Sequence, residues 1–367
     1  MSVCLVLGAG ATLANAEHFR GERRTGENPP LDYTFFDRVR TLQIVVPSEL
    51  RDYAAGIRLP DPFDVRTTGV RAEEFFRDLF ADFQEAMPGD PVVTAYEQLI
   101  ALYVRVLRDT TNWLGADNRT GAPVGQLIAS AASRTSDLRI LTFNHDLVIE
   151  NEVHKRRRLT TRWCIDEGYG SFSLALRVAG SAVDSFRRHG SDCERNRAIQ
   201  ILKLHGSLNW YVRMNGRHPS PRFLSGAVQN PTIFTTVRRA IPTRLRSTKK
   251  QASGRGRTTW YTWPVVIPPV YGKEPLIRTL VPKVWSDAAD ALAGADRIVF
   301  FGYSLPELDV RAQRLFQRGM SDNHRLRWID VVNPDPISCG RYAAVLRPSG
   351  LRWYPSVESF IENNGLD

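Results

Sequence analysis

Short apolar runs that each end in a small or polar residue are the feature of this chain that most restricts its fold. The first run, residues 3–7, leads directly into Gly8, and the run 139–143 leads into Asn144. The other runs are 201–204 before His205, 265–267 before two prolines, 297–301 before Gly302, and 326–332 before Asn333. Runs without polar alternation are typical of parallel strands buried on both faces. We therefore expect an α/β fold built on a Rossmann-like parallel sheet with flanking helices.

The segment between the first two strands has helical periodicity. Residues 73–83 and 93–114 both place apolar side chains at helical spacing. Residues 20–70 are rich in Arg, Pro and Asp, which predicts an irregular path with short helices. We expect residues 21–119 to form a helical insertion in a Rossmann-like domain made of residues 1–20 and 120–367.

The composition excludes several classes of protein. With 43% hydrophobic and 24% charged residues over 367 positions, the chain is neither disordered nor collagen-like. No stretch of about 18 apolar residues occurs, so we expect no membrane span. Residues 1–10 lack a basic segment and a small-residue cleavage site, which favours a buried strand over a signal peptide. The four cysteines form no C-x-x-C pair, which argues against a zinc ribbon and predicts a cytoplasmic protein.

The excess of positive charge is local. The net charge is +10, and residues 244–258 carry six basic side chains and no acidic one, while residues 155–158 carry four more. Solvated loops explain such a pattern, and contact with nucleic acid or an acidic protein surface is the alternative. Residues 215–262 are polar, basic and rich in Pro and Ser, so we expect a long basic loop there.

Polar and glycine residues at the strand ends are the candidates for function. The segment Gly8–Thr12 reads G-A-G-A-T, whose glycines let the backbone approach a pyrophosphate at a helix N-terminus, although a tight turn without a ligand gives the same pattern. Asn144 and Asp146 follow the second strand, where Asp146 can instead cap the next helix.

Three further strand ends complete the set of candidates. His205 can act as a general base near neutral pH, and a packed core histidine is the alternative. Gly302 and Ser304 can present a backbone amide and a hydroxyl to a phosphate, and Asn333 can meet a ribose or an adenine edge. Ligands of open α/β sheets bind at the carboxyl ends of the strands, where all these residues lie.

The order of these motifs is more specific than any one of them. G-A-G-A-T at 8–12, T-F-N-H-D at 142–146, L-H-G-S at 204–207, G-Y-S-L-P at 302–306 and V-N at 332–333 together resemble the sirtuin-like superfamily. They are most similar to its bacterial NAD-hydrolysing branch, as are N-P-P-L-D at 28–32 and A-E-E-F-F at 72–76. The resemblance covers residues 3–335.

The resemblance implies a role for each candidate. NAD would be bound across the sheet as a substrate, and no metal would be needed. Asn144 would lie beside the nicotinamide ribose, and His205 would be the catalytic histidine. The implied nucleotide-binding residues are Gly8, Ala9, Gly10 and Thr12 for the pyrophosphate and ribose, Asp146 in the same motif as Asn144, and Gly302, Ser304 and Asn333 for the adenosine half.

The implied chemistry is cleavage of the bond between nicotinamide and ribose C1′, which produces an oxocarbenium-like centre. Neutral His205 can accept a proton, and Asn144 can position a ribose hydroxyl or the attacking water. The chain lacks the four-cysteine zinc ribbon of protein-deacylating sirtuins, and residues 14–23 replace their I-P-x-F-R stretch. Both departures favour water as the acceptor of the ADP-ribosyl group, so that the products are ADP-ribose and nicotinamide. A non-catalytic NAD or ADP-ribose sensor, and an NAD-dependent deacylase or ADP-ribosyltransferase, stay open as alternatives.

The resemblance also implies a biological setting. Hydrolases of this kind deplete NAD in anti-phage defence, or abortive infection, once a trigger is sensed. Restraint would come from homo-oligomer formation or from a second protein, such as a HerA-like DNA-translocating ATPase or an Argonaute-like nucleic-acid-guided protein. The basic residues 244–258 are a candidate contact for nucleic acid or such a partner, and a solvated loop is the alternative. No contact with a membrane is expected.

Overall fold

The structure is a computed structural model. It describes residues 1–20, 28–57, 60–64, 66–67, 69–87, 89–116, 119–160, 162–163, 168–169, 174–177, 198–215, 233–236, 246–248, 259–268, 272–306, 309–346, 348 and 350–363. Its strands are β1 (Ser2–Leu7), β2 (Asp137–Thr142), β3 (Leu174–Arg177), β4 (Ile199–Lys203), β5 (Gly206–Asn215), β6 (Ile233–Thr236), β7 (Arg246–Thr248), β8 (Thr259–Val266), β9 (Arg297–Phe301), β10 (Trp328–Val332) and β11 (Leu351–Tyr354).

The helices, in chain order, alternate with the strands of the central sheet or lie between β1 and β2. They are α1 (Ala9–Arg20), a 3-10 helix (Asp32–Thr34), α2 (Phe35–Thr41), α3 (Ser48–Gly56), α4 (Ala72–Glu85), α5 (Pro91–Ala116), α6 (Pro123–Arg134), α7 (Val148–Lys155), α8 (Arg157–Thr160), α9 (Glu274–Leu280), α10 (Pro282–Ala293), α11 (Val310–Ser321), α12 (Ile337–Leu346) and α13 (Val357–Glu362).

Six parallel strands form the central sheet, in the order β11-β10-β9-β1-β2-β4. Every residue of β9 and residues 3–7 of β1 are buried, as expected for strands covered on both faces. Helices α1, α6 and α7 pack against one another in one group, and α10, α11 and α12 in another. The predicted α/β fold with a parallel sheet and flanking helices is confirmed.

The segment between β1 and β2 is helical, as its periodicity predicts. Helices α4 and α5 extend the predicted runs 73–83 and 93–114 by a few residues at each end. Phenylalanines of α4 are buried against α2 and α5, and the rings meet edge to face: Phe35 with Phe76, Phe36 with Phe75, and Phe76 with Tyr103. This aromatic core holds the helices of the insertion together, and Tyr103 also contacts the ring of His145 outside it.

A second, five-stranded sheet follows β4, in the order β3-β6-β5-β8-β7. The sequence does not predict it, and two expectations need correction. The apolar run 265–267 is not a parallel strand of the central sheet, because β8 ends at Val266 and pairs antiparallel with β5. The range 215–262 is not one loop, because it contains β6, β7 and most of β8, and its remaining residues lie outside the described residues.

The turn from β4 into β5 explains why the second sheet begins there. Gly206 has a positive φ of 84°, and a Cβ at this position would lie 2.0 Å from Val265 O. Only glycine fits such a conformation and so close a backbone neighbour. An apolar run is compatible with a parallel strand of the central sheet and with an antiparallel strand of a second sheet, so the sequence pattern alone does not distinguish them. Within the described ranges, no helix is long and apolar enough to cross a membrane.

Candidate active site

The carboxyl ends of β2 and β4 place Asn144 and His205 side by side. The two strands are parallel neighbours, and Thr142 is paired with Lys203. Leu204 N–H also donates to Thr142 O at 2.9 Å, and Asn144 and His205 each follow the last paired residue of their strand by two positions. The ring of Phe143, next to Asn144 in the chain, contacts the His205 ring edge to face with 5.1 Å between centroids. Asn144 and His205 therefore follow neighbouring strands at one edge of the sheet.

The glycines after β1 and β9 bring these two strand ends into backbone contact. Gly8 N–H donates to Phe301 O at 3.1 Å, and Gly10 N–H donates to Gly302 O at 2.9 Å. A Cβ on Gly8 would lie 2.6 Å from Gly302 O, and one on Gly302, where φ is +62°, would lie 2.1 Å from Ala11 N. Backbone packing thus requires glycine here whether or not a phosphate binds, and the Gly10 N–H is already used within the protein.

The carboxamide of Asn144 is held by the turn after β1. Its Nδ2 donates to Gly8 O at 2.8 Å and to Thr12 Oγ1 at 2.9 Å, and its backbone N–H donates to Thr142 Oγ1 at 3.0 Å. The side chain is half-buried, and within the described residues no hydrogen bond reaches its Oδ1. A fixed carbonyl oxygen with free acceptor capacity is suited to bind a hydroxyl or a water molecule.

Asp146 is buried beneath Asn144, with both carboxylate oxygens engaged by the protein. Oδ2 accepts from Thr12 Oγ1 at 2.8 Å, and Oδ1 accepts from Val148 N–H at 2.9 Å, at the start of α7. Burial raises the pKa of this carboxyl, and the positive charge of Lys203 opposes the rise. The capping interaction that the sequence allows for Asp146 is therefore present.

His205 lies in an aromatic enclosure and is 5% exposed. Its ring is 5.1 Å from Phe143, 6.1 Å from His145 and 6.4 Å from Trp285, between centroids. Its Nε2 is buried and has no hydrogen-bond partner in the described part of the chain. Burial, with smaller contributions from the positive charge of Lys273 and from His145, holds the pKa of His205 well below the ordinary histidine value. The imidazole is therefore neutral, with a ring nitrogen available to a ligand.

His145 is a second buried imidazole but is fully engaged. Its Nε2 lies 3.0 Å from Ile267 O, and its Nδ1 lies 3.3 Å from the hydroxyl of Tyr103 in α5. A carbonyl oxygen only accepts, so Nε2 carries the proton and Nδ1 accepts from Tyr103. Burial lowers the pKa of His145 to about 3. This histidine therefore links the helical insertion to the site and is not a second base.

The residues expected near adenosine lie at the ends of β9 and β10. Gly302 is half-buried, Ser304 is exposed, and Asn333 is half-buried. Asn333 Oδ1 accepts from Asp335 N–H at 2.9 Å, which leaves its amide nitrogen as the group able to meet a ligand. Ala9 is exposed on the turn after β1, which contacts the end of β9 through Gly10 and Gly302. The predicted residues therefore share one edge of the sheet.

Sequence reasoning missed two charged residues close to this edge. Lys203 is 0% exposed and donates from Nζ to the backbone oxygen of Asp146 and to Glu150 Oε1, the latter at 2.9 Å. A lysine inside the apolar run I-L-K-L was the available signal, because lysine is rarely buried without a partner. Lys273 pairs with Asp309 at 3.2 Å, and no motif pointed to it.

The family comparisons are sparse. No family model matches the chain, and no curated protein matches it. Among solved structures, a triple mutant of a Sir2 homologue in complex with 2′-O-acetyl ADP-ribose is 14% identical, with 98% of this chain and 89% of that chain covered and a TM-score of 0.43. A complex of Sir2 with a p53 peptide and NAD+ is 10% identical, with 100% and 94% covered and a TM-score of 0.39. A mutant Sir2 homologue bound to ADP-ribose is 14% identical, with 92% and 82% covered and a TM-score of 0.34.

No cluster of three or more His, Cys, Asp or Glu side chains in the described ranges is arranged to hold a metal ion. Of the cysteines, Cys4 is a buried free thiol in β1 and Cys339 is a half-buried one in α12. The expected basic contact at 244–258 falls outside the described residues, apart from the backbone of β7.

Proposed function

We propose that this protein is an NAD+ glycohydrolase that releases nicotinamide and ADP-ribose. The observation that supports the proposal is that the neighbouring parallel strands β2 and β4 lead, two residues beyond their last pair, into Asn144 and His205. They lie at the sheet edge where the β1 and β9 ends touch. The sirtuin-like order of the motifs in the sequence supports the same assignment.

The residues present fit a nucleotide substrate. His205 has a buried Nε2 without a partner in the described residues, and Asn144 presents a carboxamide oxygen that receives no hydrogen bond there. Buried polar atoms are nearly always paired, so an orphaned imidazole nitrogen at the carboxyl edge of the sheet is consistent with a group that a ligand completes. Gly302, Ser304 and Asn333 provide backbone, hydroxyl and amide groups for the adenosine half, and Ala9 is exposed on the turn after β1.

NAD brings an N-glycosidic bond whose cleavage releases neutral nicotinamide and leaves positive charge on a sugar carbon that water then attacks. Neutral His205 accepts the proton that water or a ribose hydroxyl loses in this step. Asn144 Oδ1 accepts a hydrogen bond from that hydroxyl or water and so fixes its direction. The ring of Phe143, stacked on Tyr303 at 4.5 Å, shields His205 from bulk solvent.

The test is nicotinamide release from NAD by the purified protein, followed by chromatography, for wild type, His205→Ala and Asn144→Ala. We expect each substitution to slow release by about a hundredfold or more, since base and positioning groups contribute at that level. His324→Ala and Asn112→Ala change exposed residues of the same types outside the site and serve as matched controls. Folded wild-type protein that binds NAD and never turns it over, with or without a partner, would contradict the proposal and favour a sensor.

Product analysis separates hydrolysis from the transferase alternative. Mass spectrometry should detect ADP-ribose and nicotinamide in equal amounts. O-acyl-ADP-ribose or modified protein in place of free ADP-ribose would instead identify a deacylase or an ADP-ribosyltransferase.

The proposed role of this activity is NAD depletion in anti-phage defence, restrained by homo-oligomer formation or by a partner such as a translocating ATPase or a nucleic-acid-guided protein. Cells that carry the protein and its neighbouring genes should lose NAD and stop growing after infection, and cells with His205→Ala should not. Light scattering of the purified protein tests the homo-oligomer. Unchanged NAD levels during infection would contradict the defence role without touching the proposed chemistry.

A further inference from the structure

The orientation of Asn144 is set by groups behind it. Its Nδ2 lies 2.8 Å from Gly8 O and 2.9 Å from Thr12 Oγ1. A backbone carbonyl only accepts, so the amide nitrogen must face Gly8 and the carboxamide oxygen must face away. The bond to Thr12 agrees with this orientation only if the Thr12 hydroxyl accepts, which depends on where the single hydroxyl proton points.

Asp146 decides the direction of that proton. Thr12 Oγ1 lies 2.8 Å from Asp146 Oδ2, and the pair is buried. An ionised carboxylate only accepts, so Thr12 donates to Asp146 and must accept from Asn144. The other carboxylate oxygen accepts from Val148 N–H at 2.9 Å. The hydrogen bonds are therefore donated in one direction: Asn144 donates to Thr12, and Thr12 donates to Asp146.

Lys203 holds the backbone at Asp146, and its positive charge favours the ionised carboxyl. Its ammonium group, 0% exposed, donates to the backbone oxygen of Asp146 and to Glu150 Oε1. Glu150 Oε1 is also 2.9 Å from the hydroxyl of Tyr169, which donates to it. Burial raises the pKa of Asp146, and the positive charge of Lys203 and the hydrogen bonds from Val148 and Thr12 oppose that rise.

We infer that Asp146 is a positioning residue: held by Lys203, it fixes the hydrogen-bond direction of Thr12 and thereby presents the carbonyl oxygen of Asn144 to the substrate. The inference rests on the proposed function, because it takes the catalytic role of Asn144 from it. It assigns Asp146 an action through Thr12 and Asn144 in place of a direct contact with the nucleotide.

Asp146→Asn is the sharpest variant, because it keeps the shape and replaces one acceptor with a donor. The Val148 N–H requires an oxygen on its side, so the amide nitrogen of the new side chain faces Thr12. The Thr12 oxygen then receives two donors, and its own proton lacks an acceptor unless Asn144 turns over. Turning over would set Asn144 Oδ1 against Gly8 O, so the amide loses its single orientation.

The experiment measures kcat and KM for nicotinamide release, with ADP-ribose affinity by calorimetry. We expect Asp146→Asn to lower kcat about a hundredfold while the ADP-ribose Kd changes by less than about threefold. Thr12→Val, which removes the hydroxyl, should lose activity to a similar degree, and Thr12→Ser should recover at least about tenfold over it. Asp137→Asn, at the far end of β2, is the matched control. Circular dichroism checks the fold of each variant.

Several results would overturn the inference. One is a kcat of Asp146→Asn within about threefold of wild type. Another is a loss of ADP-ribose affinity with kcat retained, which would mark Asp146 as a direct contact. Failure of the proposed function is distinguishable from failure of this inference, because wild type itself would then release no nicotinamide.

In that case crystal structures of wild type and Asp146→Asn test the inference. We expect the Asn144 carboxamide to be turned in the variant relative to wild type, and an unchanged carboxamide contradicts the inference.

Discussion

At the scale of single residues, the glycine at the end of β9 is fixed by geometry before any ligand is considered. Gly302 has a φ of +62°, and a Cβ there would lie 2.1 Å from Ala11 N. We expect Gly302→Ala to lower the free energy of unfolding by about 3 kcal/mol, from left-handed backbone strain and overpacking together. Urea denaturation measures the loss.

Gly340 is the matched control for that variant. It lies in helix α12, with no atom within 4 Å of an added Cβ. Gly340→Ala should therefore leave stability equal or raise it by about 0.5–1 kcal/mol, because alanine is the better helix former. Equal effects of the two substitutions would contradict the close packing of the β1 and β9 ends.

The neutral state of His205 has a kinetic consequence. Burial and Lys273 hold its pKa well below the ordinary value, so the imidazole stays unprotonated, and competent as a base, below pH 6.5. The rate kcat/KM for nicotinamide release should therefore show no loss between pH 8 and about pH 6. A base with the ordinary histidine pKa of about 6.5 would instead be half protonated at pH 6.5, and kcat/KM would fall to half its maximum there. A pH–rate profile with its acid limb near 6.5 would contradict the enclosure of His205.

At the scale of elements, helix α5 of the insertion contacts the site through the Tyr103 hydroxyl. This hydroxyl lies 3.3 Å from His145 Nδ1 and donates to it, because His145 Nε2 carries the ring proton and faces Ile267 O. Tyr103→Phe leaves the buried Nδ1 unpaired and should cost about 1–3 kcal/mol of unfolding free energy.

Tyr53→Phe provides the comparison for Tyr103. The Tyr53 hydroxyl bonds to Asp82 at the exposed face of the same insertion. We expect a smaller loss of stability there and no change in nicotinamide release. A thermal melt that shifts equally in both variants would show that the Tyr103 contact contributes nothing particular to the site.

The strands show what the sequence could and could not predict at this scale. Residues 297–301 form β9 as predicted, because four consecutive apolar residues, 298–301, lie between Arg297 and Gly302. Strand β11 is not predictable from its four residues, Leu351–Tyr354, which include Arg352 and two aromatic residues at the sheet edge. The prediction of a parallel strand at 265–267 is wrong because buried parallel and buried antiparallel strands have the same apolar pattern.

At the scale of the whole molecule, the carboxyl edge of the sheet collects residues far apart in the chain, and a ligand there should stabilise the fold as a unit. ADP-ribose at about a hundred times its Kd should raise the free energy of unfolding by about 2.7 kcal/mol. Differential scanning fluorimetry measures the shift, with inorganic phosphate as the control ligand. No shift at any ADP-ribose concentration would argue against a nucleotide site.

The location of the site can be predicted from the sequence, but the contacts that support it cannot. Strand-end residues such as Asn144 and His205 could be placed at one edge because parallel strands share their polarity. The contacts behind them could not, because the pairing of Lys203 with Glu150 and the approach of Tyr103 to His145 depend on packing between elements distant in sequence. The second sheet is not predicted for the same reason, since β5 and β8 pair across residues 216–258, whose polar and basic composition predicts a loop.

The most direct test of the account is a double-mutant cycle on nicotinamide release with Asn144→Ala, His205→Ala and the double variant. Groups that act on one sugar in one step lose their effects together, so the double variant should be about as slow as the slower single variant. If the two rate losses simply multiply in the double variant, the residues act independently, and the central claim that they serve one reacting centre is contradicted.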